Sequence, residues 1–126
     1  MSLQITMQER TPCFFELALA GRLDTGTYMQ LEQQVASLMA TPVKAIVLDL
    51  AALDYISSMG LRVVFKAMKD VAAMKGLFML SRMQPQVKRV FEIANALPDD
   101  SVFESVAEAD DYFAAIQDKV KRETGA

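Results

Sequence analysis

Two adjacent serines, Ser57 and Ser58, lie where an apolar strand is predicted to end and an amphipathic helix to begin. The first turn of a helix has unpaired backbone N–H groups and the positive end of the helix dipole, so a helix start attracts anions. A serine at this position can cap the helix, or its hydroxyl can carry a phosphate. The serine pair is therefore the first candidate site, and capping is compatible with phosphorylation.

The residues after the serines add a candidate contact surface. Met59 and Val63 are one helical turn apart and outside the main predicted apolar stripe of the helix, beside Arg62 and Lys66. We expect an apolar strip edged with positive charge, which suits a partner with an acidic face. Scattered exposed apolar residues are also common on ordinary surfaces, and that remains the alternative.

A second strand-to-helix junction occurs earlier, where Asp24 or Thr25 is expected to cap the first helix. Among the other candidate groups, Asp49 is expected at a strand end and Asp54 in a solvated turn. Cys13 is expected in a strand as a small core residue.

Composition excludes several classes of function. The chain has no histidine, which removes Ser-His-Asp and Cys-His catalysis and most zinc sites, and its five glycines are scattered singly, so no phosphate-binding glycine loop is present. We expect a protein that is not an enzyme and that has no metal or cofactor. The net charge of −3 argues against nucleic acid as a partner.

The length of 126 residues and the single cysteine predict one domain in a reducing, cytoplasmic setting. The longest mainly apolar stretch, residues 44–59, contains two aspartates and is shorter than the roughly 20 residues of a membrane helix. No signal peptide or membrane insertion is expected.

The elements that must position the serines follow from hydrophobic periodicity. Gly21 is expected to end the second strand and Gly76 the second helix. Strands are predicted at 3–8, 13–20, 45–50, 77–80 and 101–103, and helices from 24 or 25 to about 40, from 58 to about 75, from 85 to the turn at 98–100, and at 108–121. This order predicts an α/β fold, in which a mixed, mainly parallel sheet of four to five strands packs against about four helices.

Three segments in this order resemble the STAS domain, which bacterial anti-sigma factor antagonists share with the cytoplasmic tails of sulfate transporters. They are Leu19-Ala20-Gly21-Arg22-Leu23-Asp24 with Leu31-Glu32, Ile46-Val47-Leu48-Asp49-Leu50 through Tyr55-Ile56-Ser57-Ser58-Met59-Gly60-Leu61, and Pro85-Gln86-Val87-Lys88-Arg89-Val90-Phe91. The resemblance covers almost the whole chain and implies a single STAS domain over 1–126, with a core at about 3–120 and a flexible C-terminal tail.

The resemblance also implies a site. In phosphorylated STAS proteins the acceptor serine lies two residues before the glycine, which corresponds to Ser58, and the aspartate matching Asp24 lies near it. Ser57 stands where many of those proteins have an aspartate, so one acidic group of the usual site is missing. Ser57 is also the second candidate acceptor. Met59 stands where small residues are more common. Together with the contact strip inferred from helical spacing, the predicted partner-binding residues are Asp24, Thr25, Ser57, Ser58, Met59, Arg62, Val63 and Lys66.

The function implied by the resemblance is partner switching. The unmodified protein would bind an anti-sigma factor with serine-kinase activity, phosphorylation of Ser58 would end that binding, and a phosphatase would restore it. The alternative is an unphosphorylated regulatory subunit of a transporter ATPase or lipid-trafficking complex. A small-molecule or nucleotide sensor is a third possibility.

Overall fold

The computed structural model describes residues 2–96 and 106–124 of the chain. Within them the elements in chain order are β1 Leu3–Thr11, β2 Phe14–Leu23, α1 Tyr28–Met39, β3 Ala45–Ile56, α2 Ser58–Ala73, β4 Leu77–Ser81, α3 Pro85–Ala96 and α4 Val106–Glu123. The fifth strand predicted at 101–103 and the turn predicted at 98–100 lie outside the described residues.

The described strands form one mixed sheet in the order β1-β2-β3-β4, which confirms the predicted α/β class. β1 and β2 form an antiparallel hairpin, whereas the β2–β3 and β3–β4 pairs are parallel. Parallel neighbours need a crossover connection, and here α1 and α2 supply the two crossovers. The carboxyl ends of β2 and β3 therefore meet at the same edge of the sheet.

The core lies on one face of the sheet. Along β2, Phe15, Leu17 and Leu19 are buried and alternate with partly exposed residues, as expected of a strand with one covered face. The helices close this face with stripes of the predicted spacing: Leu31, Val35 and Leu38 on α1; Leu61, Val64 and Val71 on α2; Val87, Val90 and Phe91 on α3; Ala109 and Phe113 on α4. Tyr112, beside Phe113 on α4, is 44% exposed.

Several boundaries differ from the prediction. β2 continues past Gly21, which adopts a φ of 107° within the strand, and β3 is one continuous strand through Ile56. A side chain at Gly21 would meet the carbonyl oxygen of Ser2 at 2.3 Å, so this glycine permits a close approach and does not end the strand. At the end of α2, Lys75 and not Gly76 takes the left-handed conformation, with a φ of 62°.

Cys13 was predicted in a strand, but it lies in the tight turn between β1 and β2 with a φ of 69°. Its carbonyl accepts hydrogen bonds from the backbone N–H groups of Lys44 and Ala45 at 2.8 and 3.2 Å. The turn is thus fixed against the start of β3.

Two strand-to-helix junctions lie side by side because β2 and β3 are parallel. We call residues 22–28 the β2–α1 junction and residues 55–61 the β3–α2 junction. Leu23 pairs with Ile56, and the backbone N–H of Ser57 donates to the carbonyl of Leu23 at 2.9 Å. No helix among residues 2–96 and 106–124 combines the length and hydrophobicity that a bilayer span needs.

Candidate functional site at the β3–α2 junction

Ser57 caps α2. Its backbone is extended, with φ −98° and ψ 175°, and its Oγ accepts a hydrogen bond from the backbone N–H of Gly60 at 3.2 Å. The carbonyl of Ser57 accepts the first helical hydrogen bond, from Leu61 at 2.9 Å. The residue is only 1% exposed, so its hydroxyl is buried and engaged in capping.

Gly60 lets the first turn of α2 approach the ends of β2 and β3. A Cβ at this position would lie 2.8 Å from Cγ of Leu23, 3.0 Å from the carbonyl oxygen of Leu23 and 3.1 Å from Cγ1 of Ile56. Only glycine fits without displacing a neighbour. The backbone at the serine pair is therefore packed closely against the ends of β2 and β3.

Ser58 is the first residue of α2 and is partly exposed. Its Oγ donates a hydrogen bond of 2.7 Å to Oδ1 of Asp110 on α4, and its backbone N–H donates to the same oxygen at 2.9 Å. The negatively charged carboxylate thus binds at the N-terminus of α2, where the helix dipole and the free N–H groups stabilise an anion.

Asp110 also reaches the other junction. Its Oδ2 accepts a hydrogen bond from Oγ1 of Thr25 at 3.2 Å. Asp110 is not evident as a site residue from the sequence, because it lies 52 residues from Ser58 and no local pattern links the two. One carboxylate therefore joins the predicted residues Thr25 and Ser58 to α4; we call these hydrogen bonds the Asp110 bridge.

Asp24 is held within its own junction. Its Oδ1 accepts from the backbone N–H of Gly26 at 3.0 Å, and its backbone N–H donates to Oγ1 of Thr27 at 2.9 Å. The prediction that Asp24 or Thr25 caps α1 is wrong. The helix begins at Tyr28, and the cap position is Thr27, which makes no side-chain capping bond. The Asp24 side chain closes the turn before the helix instead.

Tyr55, the first residue of the β3–α2 junction, contacts the β2–α1 junction. The Arg22 guanidinium stacks 4.0 Å from the centroid of its ring and lies 3.6 Å from Oδ2 of Asp24. Burial raises the pKa of the Tyr55 hydroxyl above its ordinary value of 10.0, Asp110 and Asp24 raise it further, and Arg22 opposes them. The hydroxyl is neutral at physiological pH.

Two further residues of α4 hold the end of β3. Gln117, only 2% exposed, accepts from the Ile56 N–H at 3.0 Å and donates to the Ile56 carbonyl at 2.8 Å. Lys121 forms an ion pair of 2.6 Å with Asp54. Asp54 therefore lies in β3 and is paired with a lysine, not in the solvated turn that had been predicted.

The predicted contact strip is only partly correct. Arg62 and Lys66 are exposed and Met59 is partly exposed, but Val63 is 7% exposed and belongs to the core. Val63 faces α1 and lines a groove of ≈ 400 Å³ between α1 and α2. The walls of the groove are mainly apolar, and charged groups stand at its rim; the lining residues are Glu32, Val35, Ala36, Met39, Ala40, Val63, Lys66, Ala67 and Asp70.

The rim of this groove carries an ion pair between Lys66 and Asp70, one turn apart on α2, with Nζ 2.9 Å from Oδ2. The Asp70 hydrogen bond raises the pKa of Lys66, which is positively charged at physiological pH. Arg62 and Lys69 are exposed on the same helix. The outer face of α2 is therefore mainly basic.

Asp49 lies within β3, away from the serine pair. It was expected at a strand end, but it is a buried residue that accepts hydrogen bonds from Arg82 and from the Ala51 N–H. The Arg82 hydrogen bond holds the pKa of Asp49 below its ordinary value of 3.8, against the opposing effect of burial. Among the described residues, no group of three or more histidine, cysteine, aspartate or glutamate side chains is arranged to hold a metal ion.

Comparison with known sequences matches this chain to one family. The sequence profile of the STAS domain matches residues 4–109. Over 79 aligned residues the chain is 39% identical to BtrV of Bordetella bronchiseptica, named as a candidate anti-sigma factor antagonist, and the alignment covers 63% of this chain and 68% of BtrV.

Solved structures share the fold. The unphosphorylated anti-sigma factor antagonist SpoIIAA matches with a TM-score of 0.63 and 21% identity, over 71% of this chain and 83% of SpoIIAA. An anti-sigma factor antagonist from Mycobacterium paratuberculosis matches with a TM-score of 0.60 and 17% identity, over 91% of this chain and 94% of that one. At these identities the structural matches support the fold alone.

Proposed function

The chain belongs to the STAS domain family and is like its anti-sigma factor antagonists, and we propose that it binds an anti-sigma factor with serine-kinase activity until phosphorylation of Ser58 ends the association. The protein acts as a non-enzymatic, cytoplasmic binding partner. A separate phosphatase restores the binding-competent form.

The observation that supports this proposal most strongly is the difference between the two serine hydroxyls. The Ser57 hydroxyl is buried and caps α2, whereas Ser58 is partly exposed at the helix start. A kinase can approach Ser58 without unfolding the junction. The fold match to SpoIIAA, known in both unphosphorylated and phosphorylated forms, is consistent with a phosphoacceptor in this fold.

The contact surface in this proposal is centred on Ser58 and Met59 and continues along α2 to Arg62 and Lys66. Thr25 and Asp24 border it from the β2–α1 junction. The basic outer face of α2 suits an acidic partner surface. The groove beside Val63 can receive an apolar side chain of the same partner.

Phosphorylation would oppose binding electrostatically. Transfer of the γ-phosphoryl group of ATP forms an Oγ–P bond at Ser58, breaks the bond to ADP and releases the hydroxyl proton to a base on the kinase. The product carries about −1.5 to −2 charges, which a packed interface would have to desolvate and an acidic partner would repel. A penalty of about 3 kcal/mol weakens affinity by more than about a hundredfold.

Phosphopeptide mapping after incubation with the kinase partner and ATP tests the acceptor. We expect phosphate on Ser58, no incorporation in Ser58→Ala, and retained incorporation in Ser57→Ala once circular dichroism shows that this cap variant is folded. Phosphate on Ser57, or none on either serine, would contradict the proposal.

Binding measurements test the surface. We expect Ser58→Glu to weaken the complex strongly, and Arg62→Glu or Lys66→Glu to weaken it mainly through the association rate. Lys88→Glu, on the exposed side of α3, is the matched charge reversal and should leave affinity unchanged. Equal losses in the α2 and α3 variants would remove the argument for a local contact face.

A further inference from the structure

The Asp110 bridge connects the proposed phosphoacceptor to a second element of the fold. Among the described residues the carboxylate accepts three hydrogen bonds. Two come from the N–H and Oγ of Ser58 at 2.9 and 2.7 Å, and one from Oγ1 of Thr25 at 3.2 Å. The bridge therefore depends on Ser58 presenting a hydrogen-bond donor. It holds the beginning of α4 against both junctions.

Phosphorylation would remove that donor. Phosphoserine has no Oγ–H, and its phosphate adds acceptor oxygens and about −1.5 to −2 charges. The Asp110 carboxylate would then face a dianion at hydrogen-bonding distance.

After phosphorylation, the Asp110 carboxylate and the phosphate on Ser58 would compete for the N-terminus of α2. The start of α2 favours one bound anion, and Asp110 occupies that place through the Ser58 N–H. A phosphate covalently attached to Ser58 can take over the N–H and cannot diffuse away. The Asp110 carboxylate is held at this place by hydrogen bonds, whereas its neighbours Ala109 and Phe113 are packed in the core. The carboxylate is therefore the group that withdraws, and the turns of α4 around it loosen.

The rest of α4 would remain in place. Gln117 and Lys121 bind Ile56 and Asp54 through contacts that do not involve Ser58. Gln117 lies about two turns beyond Asp110 along the helix. The effect is therefore confined to the first turns of α4, before Gln117.

We propose that phosphorylation of Ser58 breaks the Asp110 bridge and releases the first turns of α4 from the two junctions. The proposal rests on the proposed function, because it takes Ser58 as the phosphoacceptor. It adds a consequence: Asp110 transmits the modification to a helix that is distant in sequence, and the phosphorylated surface differs from the unmodified one in shape as well as in charge.

Hydrogen exchange measured on the full chain, with phosphoserine incorporated at position 58 during translation, tests the proposal. We expect exchange of the backbone amides of residues 110–113 to rise about tenfold or more, as charge-assisted hydrogen bonds are lost. Exchange of the amides of residues 117–121 should stay unchanged. An unchanged rate at 110–113 would overturn the proposal.

Two variants identify the group responsible. In Asp110→Asn the side-chain amide can donate to the phosphate, so phosphoserine should produce little or no rise at 110–113. Asp111→Asn removes the same charge from the adjacent exposed residue and should leave the full rise. Equal suppression by both variants would show a general charge effect and overturn the role of Asp110.

If Asp110→Asn itself loosens α4, the exchange experiment alone does not identify the bridge. A double-mutant cycle of Ser58→Ala and Asp110→Ala in unmodified protein then measures the interaction between the two side chains directly. The bridge predicts that each single variant is destabilised in urea and that the double variant costs clearly less than their sum. Additive effects would overturn the bridge. Because phosphoserine is installed without a kinase, failure of these experiments is separate from failure of the kinase assay.

Discussion

The two strand-to-helix junctions lie side by side at the ends of parallel strands, but they are stabilised in different ways. The β2–α1 junction is closed mainly by hydrogen bonds within itself, such as the one from the Gly26 N–H to Asp24 at 3.0 Å. Its described side-chain bond to α4 is the longer one, 3.2 Å, from Thr25 Oγ1 to Asp110. The β3–α2 junction has a local cap at Ser57, but it also binds Asp110 and Gln117, which lie 52 and 61 residues away.

This difference matters for regulation. A junction held by its own residues keeps its shape when a distant element moves. A junction held by α4 shares its stability with α4, so a chemical change at Ser58 can affect a second element and a change in α4 can alter the presentation of Ser58. The proposed phosphoacceptor lies at the junction that makes more hydrogen bonds with α4 among the described residues.

The largest expected effect comes from removing the long-range contact at Gln117. In Gln117→Leu the N–H and carbonyl of Ile56 lose their buried partner, and an unsatisfied buried group costs about 1–3 kcal/mol. We expect the free energy of unfolding to fall by about 2–5 kcal/mol in total, measured by urea denaturation.

The matched control is Gln30→Leu beside the β2–α1 junction. Gln30 is exposed and donates to the Leu3 carbonyl at 3.1 Å, so water can replace it. Its loss should cost less than about 1 kcal/mol. Similar losses in the two variants would mean that the distant contact does not distinguish the junctions.

Gly60 and Gly26 provide the next comparison, one glycine at each junction. Gly60→Ala places a Cβ 2.8 Å from Leu23 Cγ and should destabilise the protein by about 1–3 kcal/mol through overpacking, despite the better helix propensity of alanine. A Cβ at Gly26 meets only Oδ1 of Asp24, at 3.5 Å, so Gly26→Ala should change stability by no more than about 0.5 kcal/mol. Thermal unfolding of both variants measures the difference, and a neutral Gly60→Ala would show that the junction can relax.

The fold could be predicted from local patterns because periodicity records which face of each element is buried. The buried stripes of α2 and α3 and the mixed, mainly parallel sheet were predicted in this way and confirmed. The prediction that Val63 belongs to an exposed contact strip was wrong for a physical reason. The helix α2 is covered by α1 as well as by the sheet, and a second neighbouring element buries residues outside the main stripe. Periodicity does not reveal which helices become neighbours.

The candidate site likewise could be predicted only where its contacts are local in sequence. Ser57 and Ser58 could be singled out because capping is local chemistry and the family resemblance implies an acceptor at Ser58. Asp110 and Gln117 could not, since their contacts depend on how α4 folds back onto β3. The start of α1 was misplaced because Asp24 can either cap a helix or close a turn, and only the packed structure distinguishes these roles.

The smallest expected effect is a change in the pKa of Tyr55. This pKa reports how strongly the charges around each junction act on the Tyr55 hydroxyl. Its pKa lies above 10.0 because of burial, then Asp110, with Asp24 contributing less than Asp110 and Arg22 acting in the opposite direction. Asp110→Asn should therefore lower the pKa of Tyr55 by more than Asp24→Asn does. The phenolate absorbance, titrated in a background with Tyr28→Phe and Tyr112→Phe, reports Tyr55 alone, since the chain has 3 tyrosines.

The same shift predicts the alkaline stability of the fold. A tyrosine whose pKa is raised on folding contributes stability that is complete below its unfolded pKa of about 10 and is lost as pH rises through the folded value. Asp110→Asn should reduce this contribution, so the variant should lose less stability than the unmodified chain between neutral and alkaline pH. A larger effect of Asp24→Asn would place the dominant charge at the β2–α1 junction, and the long-range contact would then not be the main electrostatic link between the two junctions.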